Sequence, residues 1–233
     1  MTLSGRVALV TGGTGALGQA VTLRLLAEGA AVCVPWIVHR EQADLQARVK
    51  PAERERLTMA RADVTDEAAL AALVQSIRAR HQRLDILIAL VGGFAAGSLI
   101  ETDRAAWERM LSLNLTSAFT AARAVVPEMV AAGHGRIVTV GSRAVVPPTG
   151  GFIAYTVAKA GVIAFTQALA QELKGSGVTA NCVLPSTMDT PANRAAMPDR
   201  DRLGWVPVDG VADAIAGLGR DETRHVTGAL VAI

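Results

Sequence analysis

The first eighteen residues constrain this chain more than any other stretch. A strand-length apolar run at residues 7–10 stops at Thr11, and Gly13-Thr14-Gly15-Ala16-Leu17-Gly18 follows almost at once. Leu17, Val21 and Leu25 then recur at i, i+4 and i+8, so the order reads as strand, turn, helix. The spacing of the glycines is G-x-G-x-x-G, which permits a tight turn and close backbone approach while the helix N-terminus faces a pyrophosphate. A bare glycine pattern says little, but between a strand and a helix it predicts a dinucleotide site.

The rest of the chain repeats the unit. Strand patterns at residues 31–34, 57–61, 86–91, 136–140, 178–184 and 229–233 alternate with helical patterns at 41–50, 66–80, 103–132, 152–174 and 211–218. Gly29 is placed to end the first helix, and Asp66 stands at the N-terminal end of the third. Continuously apolar strands separated by helices predict a parallel sheet covered on both faces. The expected fold is α/β: one Rossmann domain over residues 1–233, with a doubly wound seven-stranded parallel sheet. Half of the residues are apolar but only 3% are aromatic, so the core must be built from Ala, Val, Leu and Ile.

Several partners are not expected. A formal net charge of +2 is too small for a nucleic-acid surface, and the Arg-rich stretch at 48–61 is interleaved with Glu53 and Glu55 as a solvated face. His39, His81, His134 and His225 show no ligand spacing, so no metal is expected. Cys33 and Cys182 fall within strand patterns and read as buried free thiols. Uninterrupted apolar runs are far shorter than the ~20 residues that span a bilayer. The start of the chain lacks a charged-then-apolar leader pattern, and the expected location is cytoplasmic with no membrane association.

The chemistry concentrates in the second half. Tyr155, the only tyrosine, stands four residues before Lys159, one of three lysines. On a helix these positions share a face, and a cation beside a phenol lowers its pKa from about 10 towards working pH. That pair would supply a general acid/base for a carbonyl or an alcohol. Ser142 lies thirteen residues upstream, at the end of a strand pattern. At the nucleotide end, the acidic residue expected after the second strand is missing and Trp36 occupies its place, with His39 and Arg40 close behind. Arginine suits a 2′-phosphate, which favours NADP(H) over NAD(H).

With these residues assembled, the chain resembles the short-chain dehydrogenase/reductase family over essentially its full length. Thr11, Gly12, Ala16 and Gly18 match the family's glycine loop, and Asp63-Val64 resembles the pair that contacts the adenine ring. Asn114 sits at the place of the family's helix-breaking asparagine, while Ser142, Tyr155 and Lys159 match its catalytic serine and Tyr-x-x-x-Lys pair. The resemblance implies an NAD(P)(H)-dependent oxidoreductase that moves hydride between nicotinamide and a ketone or secondary alcohol. Ser142 would bind the substrate oxygen, Tyr155 would transfer its proton, Lys159 would also hold the nicotinamide ribose, and Asn114 would anchor a relay water. It further implies that Thr11, Gly12, Gly13, Thr14, Gly15, Ala16, Leu17, Gly18, Asp63, Val64, Val91, Gly92, Gly93, Pro185 and Thr187 line the cofactor, together with Tyr155 and Lys159.

Departures from the family pattern fall in two loops. The polar Asn-Asn-Ala-Gly after the fourth strand reads Ala89-Leu90-Val91-Gly92 here, followed by a flexible Gly93-Phe94-Ala95-Ala96-Gly97. The Pro-Gly after the sixth strand reads Pro185-Ser186. The substrate loop, about 186–206, is short for the family and carries Met188, Met197 and Trp205, which would either line an apolar pocket or pack as a small helix. Residues 185–198 and the Gly92-Gly93-Phe94 loop also resemble dihydropteridine reductases, a divergent branch that typically lacks the serine. Ser142 favours a general carbonyl reductase of the kind that includes 3-oxoacyl-carrier-protein reductases. A reading from a different class, a non-catalytic dinucleotide sensor, would be expected to have lost the tyrosine or lysine. The long Ala-rich helices at 103–132 and 152–174 carry more apolar surface than one sheet face covers, which predicts a homotetramer, or else a dimer.

Overall fold

The structure, a computed structural model, describes residues 2–233. Seven strands form one parallel sheet: β1 (Val7–Thr11), β2 (Ala31–Trp36), β3 (Leu57–Arg61), β4 (Ile86–Ala89), β5 (Gly135–Val140), β6 (Val178–Leu184) and β7 (Leu230–Ala232). Their spatial order is β3-β2-β1-β4-β5-β6-β7. The order reverses between β1 and β4, where Ala8 pairs with Ile86 and Thr11 with Ala89. A doubly wound sheet binds its ligand at the carboxyl ends of the strands beside such a reversal.

Every strand but the edge strand β7 feeds both cores. Ala8 and Val10 of β1 point to one face, against α1 (Ala16–Ala27), Leu45 of α2 (His39–Arg48) and α8 (Val208–Leu218). Val7 and Leu9 point to the other, against α3 (Glu67–His81), α5 (Ser117–Ala131) and α6 (Ile153–Glu172). The sheet is therefore buried on both sides, which is why its strands carry apolar residues at consecutive positions. Cys33 and Cys182 are buried free thiols within β2 and β6.

Beyond shifts of a few residues at element ends, two stretches divide differently from the periodicity and one loop holds a helix. The apolar run at 86–91 stops being a strand at Ala89, because Leu90 N–H turns to the Thr11 carbonyl and the chain leaves the sheet. The long helix at 103–132 divides into α4 (Arg104–Leu111) and α5, joined by a π-helical turn at Ser112–Thr116. A short helix, α7 (Pro191–Ala196), forms in the 186–206 segment with Thr190 Oγ1 accepting from Asn193 N–H as its cap. Helix α6 is long and apolar enough to cross a membrane by length and composition, although uninterrupted apolar runs are short. About half of this helix is buried, and it packs on β6 and α4.

At the opposite end of the sheet, a buried charge cluster ties the C-terminal segment to the strands. Asp85 accepts from Arg6, from both donors of Arg83 and from the Val7 N–H, while Asp221 pairs with Arg6 and Arg136. Burial pushes both carboxyls up, but these bonds outweigh it and leave each below its ordinary pKa. His134, whose Nε2 lies 3.6 Å from Asp85, is lowered by burial and by Arg136 and Arg6. A depressed histidine contributes stability that is complete above about pH 6.5, and depressed aspartates contribute stability that is complete above about pH 3.9. Both contributions are lost as pH falls through the folded-state values. Thermal unfolding should therefore show Tm declining from about pH 6.5 downwards and more steeply below about pH 4. His134→Gln should shrink the first step, with His81, also lowered by burial, supplying the remainder, and an unchanged first step would refute the assignment.

Candidate active site

The glycine loop closes on itself. Gly12 has φ +70°, and an added Cβ would lie 2.8 Å from the Val91 N and 2.9 Å from the Leu90 carbonyl carbon. A Cβ on Gly18 would overlap the Gly12 carbonyl oxygen, with the Gly13 Cα only 2.6 Å away. The crossover from β1 to α1 thus stacks directly on the chain leaving β4. Gly15 caps α1 without a side-chain hydrogen bond, and no acidic residue occupies the first turn. The leading N–H groups of α1 are left free, and the helix dipole adds positive potential there. This bare terminus in a cradle that side chains would fill fits a dinucleotide pyrophosphate.

At the adenosine end, Trp36 finishes β2, half-buried, with the His39 ring edge-on at 6.0 Å. Trp36 pairs in register with Arg61 at the end of β3. His39, Arg40 and Arg61 are exposed, and among the described residues neither arginine has an ion-pair partner. Sequence reasoning missed Glu41, whose Oε2 accepts from the Thr14 hydroxyl at 2.9 Å and ties α2 to the glycine loop. Asp63 holds Thr65 N–H and hydroxyl, and the hydroxyl bond keeps its carboxyl below the usual pKa. Val64, the next residue, is buried.

Past β4 the backbone is held by Asn114, which sits buried in the π-helical turn. Its Nδ2 donates to the Gly93 and Met110 carbonyls at 3.0 Å each, and its Oδ1 accepts from Gly93 N–H at 3.2 Å. The amide spans the loop and α4, and it steadies the stretch where this chain carries Ala89 and Leu90 in place of two polar residues. An added Cβ on Gly92 would come 2.7 Å from Asn114 Oδ1 and 3.4 Å from Lys159 Nζ. Gly92, Asn114 and Lys159 therefore converge.

Ser142, Tyr155 and Lys159 also meet here, from the end of β5 and the first turns of α6. Ser142 is buried, and its Oγ accepts from Ala144 N–H at 3.2 Å. Burial raises the Tyr155 pKa, while the Ser142 hydroxyl beside it works against the rise. Lys159 is buried, donates to the Val140 carbonyl at 2.8 Å and is pushed down to about 8 by burial. The i, i+4 spacing predicts an ammonium that lowers the phenol's pKa. Instead the ammonium is turned towards the end of β5, and desolvation of the phenolate dominates.

On the substrate side, Met188 packs with Val206 and Val208 against the main core, and Pro185 and Thr190 are buried. The Thr187 carbonyl accepts from Val206 N–H, which closes the segment on itself. Met197 and Trp205 are half-exposed and α7 buries none of its residues, so the segment leaves the site open.

A doubly wound parallel sheet with a bare glycine-loop helix terminus at its switch point, and a Ser/Tyr/Lys group on the same edge, defines a dinucleotide-dependent oxidoreductase. Comparison with known proteins narrows this class. Residues 6–201 match the family model for short chain dehydrogenases. The chain is 32% identical to the 3-oxoacyl-(acyl-carrier-protein) reductase FabG of Escherichia coli, over 98% of this chain and 95% of that one. It is 37% identical to the cis-4-hydroxycyclohexanecarboxylate dehydrogenase of Sinomonas cyclohexanicum, over 98% and 94%. The crystal structure of levodione reductase superposes with a TM-score of 0.89 at 25% identity, covering 99% of this chain and 96% of that one. The chain belongs to the short-chain dehydrogenase/reductase family and is an NAD(P)-dependent oxidoreductase.

Proposed function

We propose that the chain is a cytoplasmic, NADP(H)-preferring reductase of ketones, working reversibly on the matching secondary alcohols, with Tyr155 as its general acid/base. The observation that carries this reading is the placement of Asn114 and Lys159 beside Gly92, with Ser142 beside Tyr155 one helical turn before Lys159, at the sheet end that carries the bare α1 terminus. The names of the relatives agree, since a 3-oxoacyl group and a hydroxycyclohexane ring share a carbon that alternates between ketone and alcohol.

Bound nicotinamide supplies or accepts the hydride. Ser142 donates to the substrate oxygen and fixes its position. Tyr155, protonated at neutral pH, gives its phenolic proton to that oxygen as the carbonyl becomes an alcohol, and takes it back in the oxidative direction. Lys159 supplies positive charge next to Gly92 and helps hold the nicotinamide ribose. The Asn114 side chain keeps the Gly93 backbone in place, and with that amide taken up a relay water would be anchored by the residue's backbone carbonyl. The α1 N-terminus holds the pyrophosphate, Asp63 and Val64 flank the adenine, and Pro185 and Thr187 border the nicotinamide. One domain with a short substrate loop carries all of these functions.

Three features support NADP(H): Trp36 stands where a ribose-binding carboxylate would, and Arg40 and Arg61 offer unpaired guanidinium groups near it. Glu41 opposes a 2′-phosphate, which makes the preference one of degree. Titration followed by nicotinamide fluorescence should show NADPH binding about tenfold tighter than NADH, equivalent to about 1.4 kcal/mol. Arg40→Ala should erase the difference. Tighter NADH binding by the unaltered chain would overturn the preference. The exposed Phe119 and Val130 of α5 and Val157 of α6 support a homotetramer built on these helices, which light scattering would refute by finding a monomer.

A further inference from the structure

Aromatic residues are scarce in this chain, with four Phe, three Trp and one Tyr, yet three of them form one cluster at the reacting end of the site. Phe94 lies edge-on to Tyr155 at 5.0 Å and tilted against Phe152 at 5.7 Å, and Phe152 lies 6.1 Å from Tyr155. All three distances fall in the range of favourable ring pairs. Phe94 is nevertheless 63% exposed, so much of its ring faces solvent beside the phenol.

The position is built. Asn114 clamps Gly93 just before Phe94. Gly97, just after it, donates to the Gly151 carbonyl at 2.8 Å and accepts from Ile153 N–H at 3.1 Å, a bridge that sets its loop beside Phe152. A separate pocket lies along α4 and the start of α6, lined by Leu99, Trp107 and by Ile153, the chain neighbour of Phe152. Two of its polar residues are already engaged: Asp103 caps α4, and Arg104 pairs with Glu108. The surface next to the phenol is thus aromatic and apolar, and fixed at both ends of its loop.

We propose that Phe94 and Phe152 form a ring-binding wall that selects carbocyclic and aryl ketones over flexible acyclic ones. The inference rests on the reading of Tyr155 as proton donor, since it seats the ring beside that phenol with its carbonyl towards Ser142. A ring gains contact with the Phe94 face while losing little internal freedom, whereas a flexible chain must be ordered to do the same.

The test uses cyclohexanone and acetophenone as ring probes and ethyl acetoacetate as the acyclic probe, measured with the full chain. Saturation-transfer NMR reads binding, and kcat/KM with NADPH reads turnover. Binding and kcat/KM should both favour the ring probes. Phe94→Ala should reduce the ring-to-acyclic ratio about tenfold, mainly through KM, and Phe94→Leu should do nearly the same although it preserves apolar bulk. Tyr155→Phe should keep ring binding while losing turnover. Turnover without ring preference, or equal losses for both classes on replacing Phe94, would overturn the wall and leave the proton-donor reading intact. Ring-selective binding with no ketone reduction would uphold the wall and overturn the proposed reaction. Binding of neither class would overturn the wall.

Discussion

Replacing Tyr155 with Phe is expected to lower ketone reduction by about 10²–10⁴-fold while the chain continues to bind the dinucleotide. The substitution removes one oxygen and leaves the ring contacts with Phe94 and Phe152 in place. A fold-wide cause for the loss would therefore show as a shifted Tm, and none is expected. Ser142 cannot replace the lost group, because a hydroxyl with a pKa far above that of a phenol is a poor proton donor to an alkoxide. The pH profile follows from the same burial. Raised by desolvation, the phenol stays protonated through neutrality, so reduction should be flat from about pH 6 to 7.5. As pH rises through about 8, Lys159 loses its proton and its field at the site weakens, so reduction should fall. Oxidation of the alcohol needs the phenolate and should rise with pH over the same interval. Stopped-flow and steady-state rates measured with Tyr155→Phe would decide the matter. Undiminished turnover would remove Tyr155 from the chemistry and point to another donor.

Much of this fold is legible in the sequence, because its signals are local. A parallel strand buried on both faces leaves a run such as Ile86-Leu87-Ile88, while a left-handed turn leaves Gly12 and close packing leaves Gly13 and Gly18. The Ser142, Tyr155 and Lys159 spacing survives for the same reason, since one strand end and one helix set it. What was not legible depends on partners distant in the chain. The spacing of Tyr155 and Lys159 gives a shared helix face, but nothing local says that the ammonium will meet the Val140 carbonyl. Asn114 reads as a helix interruption, yet its double hold on Gly93 requires knowing how α4 lies against the β4 loop. Glu41 looks like an ordinary first-turn acid until α2 brings it to Thr14. Phe152 sits just before a helix and gives no signal until the Gly97 bridge sets it beside Phe94. The scarcity of aromatic residues was the one clue available, since a chain that builds its core without them has a reason to keep any that remain.

Gly18→Ala is expected to weaken dinucleotide binding by about two orders of magnitude and to lower Tm by roughly 2–12 °C, from an overpacking cost of about 1–3 kcal/mol. The added methyl meets no side chain that could swing away: its neighbours are the Gly12 carbonyl group and the Gly13 Cα. Relief must come from moving α1 off the loop. That movement is resisted, because Leu17, Val21, Leu25 and Leu26 are locked into the core that α8 closes. Any shift also moves the free N–H groups from the place where the pyrophosphate must sit, so stability and affinity are lost together. Gly15→Ala separates this argument from a general intolerance of loop glycines. At Gly15 the φ is −71°, which any residue adopts, and the nearest atom to an added Cβ is the Gly12 oxygen at 3.6 Å, an ordinary contact. Its Tm should stay close to that of the unaltered chain, with any loss confined to the dinucleotide. Differential scanning calorimetry and NADPH titration of the two variants give the comparison. Equal Tm values for Gly18→Ala and Gly15→Ala would mean that α1 is not held against the loop by close packing, and that the helix terminus binds phosphate without the cradle described above.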